Sequence, residues 1–195
     1  MGTPKHLLSE DGHLWIERTV AILARLTGQV VIAGHGALPG SLLRVPRVDD
    51  AAGLAGPLAG ILGAFRRYPA VSWLIAACDQ PHLRVEALQW LLSERHPETL
   101  AILPALAADG RVEPLLAYYD HRCATVLEAM AAQGIHRLNA LKEVPGVVSP
   151  QPPPHLRDAW CNINRPDELE RHRQALHTRI ESSSALSVSR KPDKS

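Results

Sequence analysis

Residues 56–81 read GPLAGILGAFRRYPAVSWLIAACDQP, and this stretch decides the fold. Pro57 suits the first position of a helix, where its missing N–H costs nothing. Gly56 and Gly60 leave room for the start of that helix to approach another backbone or a ligand. After a turn at Tyr68-Pro69, residues 71–78 are nearly all apolar, the pattern of a strand covered on both faces. Asp79, Gln80 and Pro81 end it. In open parallel sheets ligands collect beyond the carboxyl ends of strands, so Asp79 is placed to hold a hard cation such as Mg²⁺, which prefers oxygen ligands. The alternative is an Asp that caps a following helix at residues 84–92.

Working outward, the chain alternates strands and helices. Apolar residues at Leu14, Ile16, Val20, Ile22, Leu23 and Leu26 mark a helical face, and Gly28 is placed to end it. Residues 29–33 read as a short buried strand and residues 43–48 as an edge strand that tolerates Pro46. A buried strand is expected at 99–104, a strand introduced by Glu-Pro at 111–119 and a last short strand at 146–148, with helices at 84–92, 121–133 and 166–177 and a turn at Asp109-Gly110. This alternation predicts a three-layer α/β fold with a mostly parallel, Rossmann-like sheet.

The 195 residues, 46% of them hydrophobic, suffice for one α/β domain with a full core. A net charge of +1 carries no polyelectrolyte signature, so no nucleic-acid partner is expected. No apolar run approaches the ~20 residues that span a bilayer, and the start MGTPKHLLSEDG lacks the apolar region of a signal peptide. The three cysteines, Cys78, Cys123 and Cys161, form no C-x-x-C pair and fit reduced thiols of the cytoplasm. The ten histidines form no supported H-x-x-x-H pair. The tail, residues 181–195, is rich in Ser and Lys and lacks apolar spacing, so it is expected to be disordered. The domain is bounded at 1–178, with 179–195 as tail.

The segment GPLAG-ILGAF followed by CDQP resembles the molybdenum cofactor guanylyltransferases, members of the nucleotidyltransferase superfamily. Met1-Gly2-Thr3-Pro4-Lys5 resembles the end of that family's glycine-rich loop, M-G-x-P-K. Glu113-Pro114-Leu115 resembles its E-P-L segment, residues 134–138 (GIHRL) its G-x-R-R-L, and residues 162–169 (NINRPDEL) its closing N-x-N-x-P-x-x-L. The motifs occur in family order from Met1 to about His177. The resemblance implies the nucleotidyltransferase-type sheet, with Asp79 binding the Mg²⁺ that carries the nucleotide and Asn164 as the second metal contact. It implies Lys5 as the phosphate-contacting lysine and Asp49, seven residues before Gly56, as a further nucleotide contact. Glu113, Arg137 and Asn162 fall on the acceptor side. His35 stands where the family often has Asn, and His136 where it has a second Arg. Arginine binds phosphate better than imidazole does, because it stays charged and binds bidentately. From the residues alone, a solvated Lys5, a turn-forming Asp pair at Asp49-Asp50 and a helix-entry Asn164 are the competing readings.

The family's first strand and most of its glycine-rich loop have no counterpart before Met1. A start codon assigned too late is the expected reason, and a shortened, inactive copy the alternative. Loss of a central strand would expose two sheet edges. The implied reaction is transfer of GMP from GTP to molybdopterin, with release of pyrophosphate and formation of molybdopterin guanine dinucleotide. The enzyme is expected to be cytoplasmic and monomeric, with molybdoenzymes or their chaperones as further partners. Pro4 leaves open a CTP-dependent molybdopterin cytidylyltransferase. A nucleotide- or pterin-binding remnant without activity is the reading from another class.

Overall fold

The computed structural model describes residues 5–10, 12–106, 110–163, 167–171 and 174. The expected metal contact Asn164, the residues Met1 to Pro4, Asp109 of the expected turn, and the tail 181–195 lie outside them. In chain order the elements are β1 (Ser9–Glu10), β2 (His13–Leu14), α1 (Trp15–Ala24), β3 (Ile32–Ala33), β4 (Arg47–Val48), α2 (Pro57–Arg67), β5 (Trp73–Ala76), α3 (Val85–Ser93), β6 (Ala101–Ile102), β7 (Leu116–Tyr119), α4 (Cys123–Ala132) and β8 (Val147–Val148). The alternation expected from the sequence is present, but most strands are shorter than the apolar runs that announce them.

The main sheet has the order β5-β7-β6-β8. Strand β7 pairs antiparallel with both β5 and β6, while β6 and β8 are parallel. Three of its four strands, β5, β6 and β8, therefore run the same way and β7 runs against them. A second, two-stranded sheet pairs β3 with β4 in parallel, and β1 and β2 form a small antiparallel ribbon ahead of α1.

Side-chain alternation sorts the helices into two layers. Trp73 and Ile75 of β5, with their partners Tyr119 and Ala117, share a core with Leu58, Ile61, Leu62 and Phe65 of α2 and Leu127 and Met130 of α4. Leu74 and Ala76, opposite Tyr118 and Leu116, point the other way. There Leu74, Ala76 and Leu116 pack with Leu23 of α1, with Ala87 and Leu88 of α3, and with Trp160. Helices α2 and α4 thus cover one face and α1 and α3 the other, the three-layer arrangement expected. Trp160, in the 3-10 helix Pro154–Trp160, is 2% exposed. Its indole N–H donates to the Leu116 carbonyl at 2.9 Å and its ring meets Trp90 edge-on at 5.3 Å. Burying a side chain of this kind contributes roughly 2–3 kcal/mol. The sequence gives no sign of it, because the proline-rich run before it has no periodicity.

Helix α2 is fitted to β3 and β4 through its glycines. Gly56, just before the helix, has φ +73°, a conformation glycine adopts without strain. Gly60 and Gly63 lie one turn apart and let the helix descend onto the chain after β4. A Cβ on Gly63 would stand 2.0 Å from the Asp49 carbonyl oxygen, and one on Gly60 would meet Ala33 and the Asp50 carboxylate at 3.2 and 3.3 Å. The Ala51 N–H completes the contact by donating to the Ala59 carbonyl at 2.9 Å. Gly28 has no such role. Helix α1 already ends at Arg25, which keeps a right-handed conformation, and Gly28 has open space around it.

Two expectations need correction. Asp79 caps no helix: α3 begins at Val85 behind Arg84. And β5, although apolar throughout, is only half-buried at each of its residues, because among the described residues it has a partner on one edge alone. The other edge faces β3, and no strand among the described residues joins the two sheets.

Gly63→Ala is expected to destabilise the fold by about 1–3 kcal/mol, the usual range for overpacking, because the obstruction is backbone and cannot rotate away. Gly28→Ala is expected to change stability by less than about 1 kcal/mol. Urea unfolding of the two variants checks this; equal midpoints would remove the helix-docking role of Gly63.

Candidate active site

The site is built where β5 ends. The Ala77 N–H donates to the Leu115 carbonyl at 2.8 Å, which extends the β5–β7 ladder beyond its last regular pair. Two residues on, the Asp79 carbonyl accepts the Ile163 N–H at 2.9 Å. The carboxyl end of β5 is therefore tied both to the start of β7 and to the closing segment that carries Asn162. The strand has already ended before Pro81, and the Leu83 N–H closes a turn back onto the Gln80 carbonyl at 3.0 Å.

Lys5 reaches this point from the amino-terminal segment. Its ammonium donates to Asp79 Oδ2 at 3.0 Å, with the lysine side chain 35% and the aspartate 19% exposed. A pair this open to water contributes little stability, about 0.2–1 kcal/mol, and what it supplies is placement of a cation beside an acid. Lys5 is held by local structure. The 3-10 turn Lys5–Leu7 closes with a bond from the Leu8 N–H to the Lys5 carbonyl. The neighbouring His6 Nε2 lies 2.9 Å from the Ala37 carbonyl, and its ring packs where a Cβ on Gly36 would otherwise stand. His6 escapes sequence reasoning because its partner is 31 residues away in the chain.

A second cluster lies beside the first. Glu113 accepts the Leu115 N–H at 2.8 Å on one carboxylate oxygen and the Asn162 amide at 3.1 Å on the other. Burial pushes its carboxyl above the usual range. The two hydrogen bonds pull it back down, and the negative charge of Asp79 raises it further. Oδ1 of Asn162 is buried without a hydrogen-bond partner, as are both ends of the Gln80 amide. Unpaired buried polar atoms are costly, and their gathering around the end of β5 marks that region as one shaped for more than packing.

The remaining residues singled out from the sequence stand apart. Asp49 is 89% exposed, at the end of β4, and its Oδ1 is 3.7 Å from His35 Nδ1 in the loop after β3. The carboxylate of Asp50, its neighbour, turns toward Gly60 of α2, whereas Asp49 meets that helix only through its main-chain carbonyl. Arg137 is exposed ahead of the 3-10 helix Leu138–Glu143, and no side-chain hydrogen bond or ion pair among the described residues links it to the Lys5–Asp79 pair. The structure thus brings together Lys5, Asp79, Glu113 and Asn162, and leaves Asp49 and Arg137 at the periphery.

Among the described residues no three His, Cys, Asp or Glu side chains converge on a point, so there is no preformed metal cage. Asp79, with one oxygen engaged by Lys5, instead suits a cation that keeps several waters and shares the oxygens of a bound phosphate. Mg²⁺ is usually held in that way, and the residues present fit it. Among the described residues no helix is long and apolar enough to cross a membrane.

Comparison with known proteins places this geometry in a family. A probable molybdenum cofactor guanylyltransferase of Halalkalibacterium halodurans is 28% identical over 177 residues, which is 86% of this chain and 88% of the relative. The crystal structure of molybdopterin-guanine dinucleotide biosynthesis protein A from Archaeoglobus fulgidus is 27% identical and superposes with a TM-score of 0.70 over 91% of this chain and 92% of that one. At 17% identity, the 2-C-methyl-D-erythritol 4-phosphate cytidylyltransferase of Thermus thermophilus shares the fold, with a TM-score of 0.64 over 85% of this chain and 90% of that one. Residues 1–145 match the model of the MobA-like NTP transferase domain, and the chain belongs to that family.

Proposed function

We propose that this chain transfers GMP from GTP to molybdopterin, forming molybdopterin guanine dinucleotide and releasing pyrophosphate. The observation that carries the reading is the 3.0 Å pairing of Lys5 with Asp79 at the carboxyl end of β5, in a chain similar over most of its length to guanylyltransferases. A nucleoside triphosphate needs both a cation for its phosphates and an acid to hold the accompanying metal, and here the two groups touch. Without nucleotide they neutralise one another. When the phosphates arrive they offer Lys5 a new anion, which releases Asp79 Oδ2.

Mg²⁺, held by Asp79 together with the neutral oxygen that the resemblance assigns to Asn164, would polarise the α-phosphate and screen its charge. The terminal phosphate of molybdopterin attacks the α-phosphorus in line. One P–O bond forms as the bond to the α,β-bridging oxygen breaks, and the electron pair leaves with pyrophosphate. Lys5 stabilises charge on the transferring group and on pyrophosphate, while Asp79 positions the metal. No side chain is needed as a nucleophile, so the residues act through placement and electrostatics. On the acceptor side Glu113 fixes the Asn162 amide, leaving its buried Oδ1 to accept a donor of the pterin. Arg137 meets the anionic end of the acceptor from the rim, and Asp49 contacts the nucleotide from the loop side. The domain spans residues 1–178 and acts in the cytoplasm as a monomer, handing its product to molybdoenzymes or their chaperones.

Asp79→Asn is expected to lower pyrophosphate release from GTP by at least about 100-fold, with folding stability changed by less than about 1 kcal/mol. A fully active variant would overturn the assignment. Glu113→Ala is expected to raise KM for molybdopterin several-fold while KM for GTP stays within about twofold, since Glu113 acts through Asn162; equal shifts in both would remove its acceptor role. In parallel assays GTP is expected to be turned over and CTP not, and preference for CTP would reassign the base.

A further inference from the structure

Two stretches of chain meet beyond the end of β5. Residues 79–84 run from Asp79 through a turn to Arg84, which precedes α3. Residues 158–163 run from Asp158, near the end of the 3-10 helix Pro154–Trp160, to Asn162 and Ile163. The two stretches are equal in length and joined at both ends. At one end the Ile163 N–H donates to the Asp79 carbonyl at 2.9 Å. At the other the Arg84 guanidinium donates to Asp158 Oδ1 at 2.6 Å. A ring closes in this way, with the Asp79 carboxylate on one arm and the Asn162 amide on the other.

Arg84 is more than one half of an ion pair. The same Nη2 that meets Asp158 also donates to the His155 carbonyl at 2.5 Å, and Nη1 donates to the His82 carbonyl at 3.4 Å. One planar guanidinium thus grips the turn after Asp79 and two points on the 3-10 helix, a task that the point charge of a lysine does not match. The Asp158 carbonyl in turn accepts the Cys161 N–H at 3.0 Å. The residue held by Arg84 is therefore the one on which the 3-10 helix ends and the chain leaves for Asn162. Apolar packing lies beneath, where Leu83, Leu156, Ala159 and Trp160 share a core. Such packing is non-directional and leaves the register of the two arms to hydrogen bonds. Each arm also carries a buried amide with unpaired atoms, both ends of Gln80 and Oδ1 of Asn162. Atoms of this kind gain by reaching water, which favours parting of the arms and has to be opposed at their ends.

We propose that Arg84 is a positioning residue for the acceptor, acting through Asp158. It locks the arm that carries Asn162 onto the arm that starts at Asp79, and so fixes the acceptor-side amide relative to the carboxylate that holds the metal. This role rests on the acceptor contact given to Asn162 above. Asp79 has a separate support, because the β5–β7 ladder continues to Ala77. Loss of Arg84 is therefore felt by the acceptor and spares the nucleotide. Asp158 shares the role, since it is both the anion that Arg84 grips and the carbonyl on which the chain turns.

The test compares Arg84→Ala, Arg84→Lys, Asp158→Ala and Asp158→Asn in the full chain with Arg66→Ala, which breaks an exposed ion pair to Glu128 elsewhere. Hydrogen exchange is read at the Cys161 and Ile163 amides, and molybdopterin and GTP are titrated separately, with turnover followed in parallel. In Arg84→Ala and Asp158→Ala both amides are expected to exchange about tenfold faster or more. Molybdopterin binding is expected to weaken about fivefold or more while GTP binding stays within about twofold. Asp158→Asn keeps an oxygen acceptor and is expected to stay close to wild type. Arg84→Lys falls between, and it carries the same comparison if Arg84→Ala does not fold. Arg66→Ala is expected to move neither ligand. Unchanged exchange at both amides would overturn the proposal whatever the chain catalyses. Faster exchange with molybdopterin binding unmoved, or with both ligands weakened alike, would overturn it as well. Failure of the reaction itself shows differently, as absent turnover in the wild-type chain, and the split between the two binding constants still judges Arg84.

Discussion

Among the described residues strand β5 pairs on one side only, with β7, and the rest of the site is built on that ladder. Its ladder with β7 fixes which side chains face each helix layer, carries the chain to Asp79, and orients the backbone beyond it. Hydrogen bonds at Ala77 and Asp79 then bind the strand end to two other segments. A carboxylate at the tip of an unsupported strand would wander with it. Here the main chain on both sides of the carboxylate is anchored, so the ion pair with Lys5 holds a cation beside the acid in a fixed place.

The helices contribute in different ways to this arrangement. Helix α2 bridges the interruption in the sheet. It packs on β3 and the end of β4 through Gly60 and Gly63 and on β5 and β7 through Ile61 and Phe65. Helix α1 spans the same interruption from the opposite face. The helix layers are thus continuous where the sheet is not, which keeps β3 and β5 aligned across the interruption. Helix α2 meets the chain just after β4, at the Asp49 carbonyl and the Asp50 carboxylate, and the last residue of β3, Ala33. The segments after β3 and β4 carry His35 and Asp49, whose side chains are exposed and 3.7 Å apart.

Much of this was legible in the residues. The apolar run ending at Asp79, the proline and glycines that open α2, and the succession of strands and helices are local patterns, and local patterns reflect backbone preference directly. The roles of Lys5 and Glu113 were accessible only through resemblance. Lysine at a chain start and glutamate before proline have bland readings of their own, and their partners Asp79 and Asn162 are 74 and 49 residues distant. The contact of His6, the unpaired amide of Gln80 and the burial of Trp160 have no local signature for the same reason. What sets each apart is a contact, or the lack of one, made after distant segments have met.

The sequence by itself determined the class of the fold, the direction in which β5 presents its acid, and the small residues where helix and strand must touch. These depend on side-chain period, φ preference and volume, all properties of short segments. Tertiary structure alone decided that Asp79 pairs with Lys5 instead of capping α3, that Glu113 restrains Asn162, and that β3 and β5 confront each other across a gap. Those outcomes depend on which backbone hydrogen bonds are completed between remote segments and which are left open, and no window of the chain contains both partners.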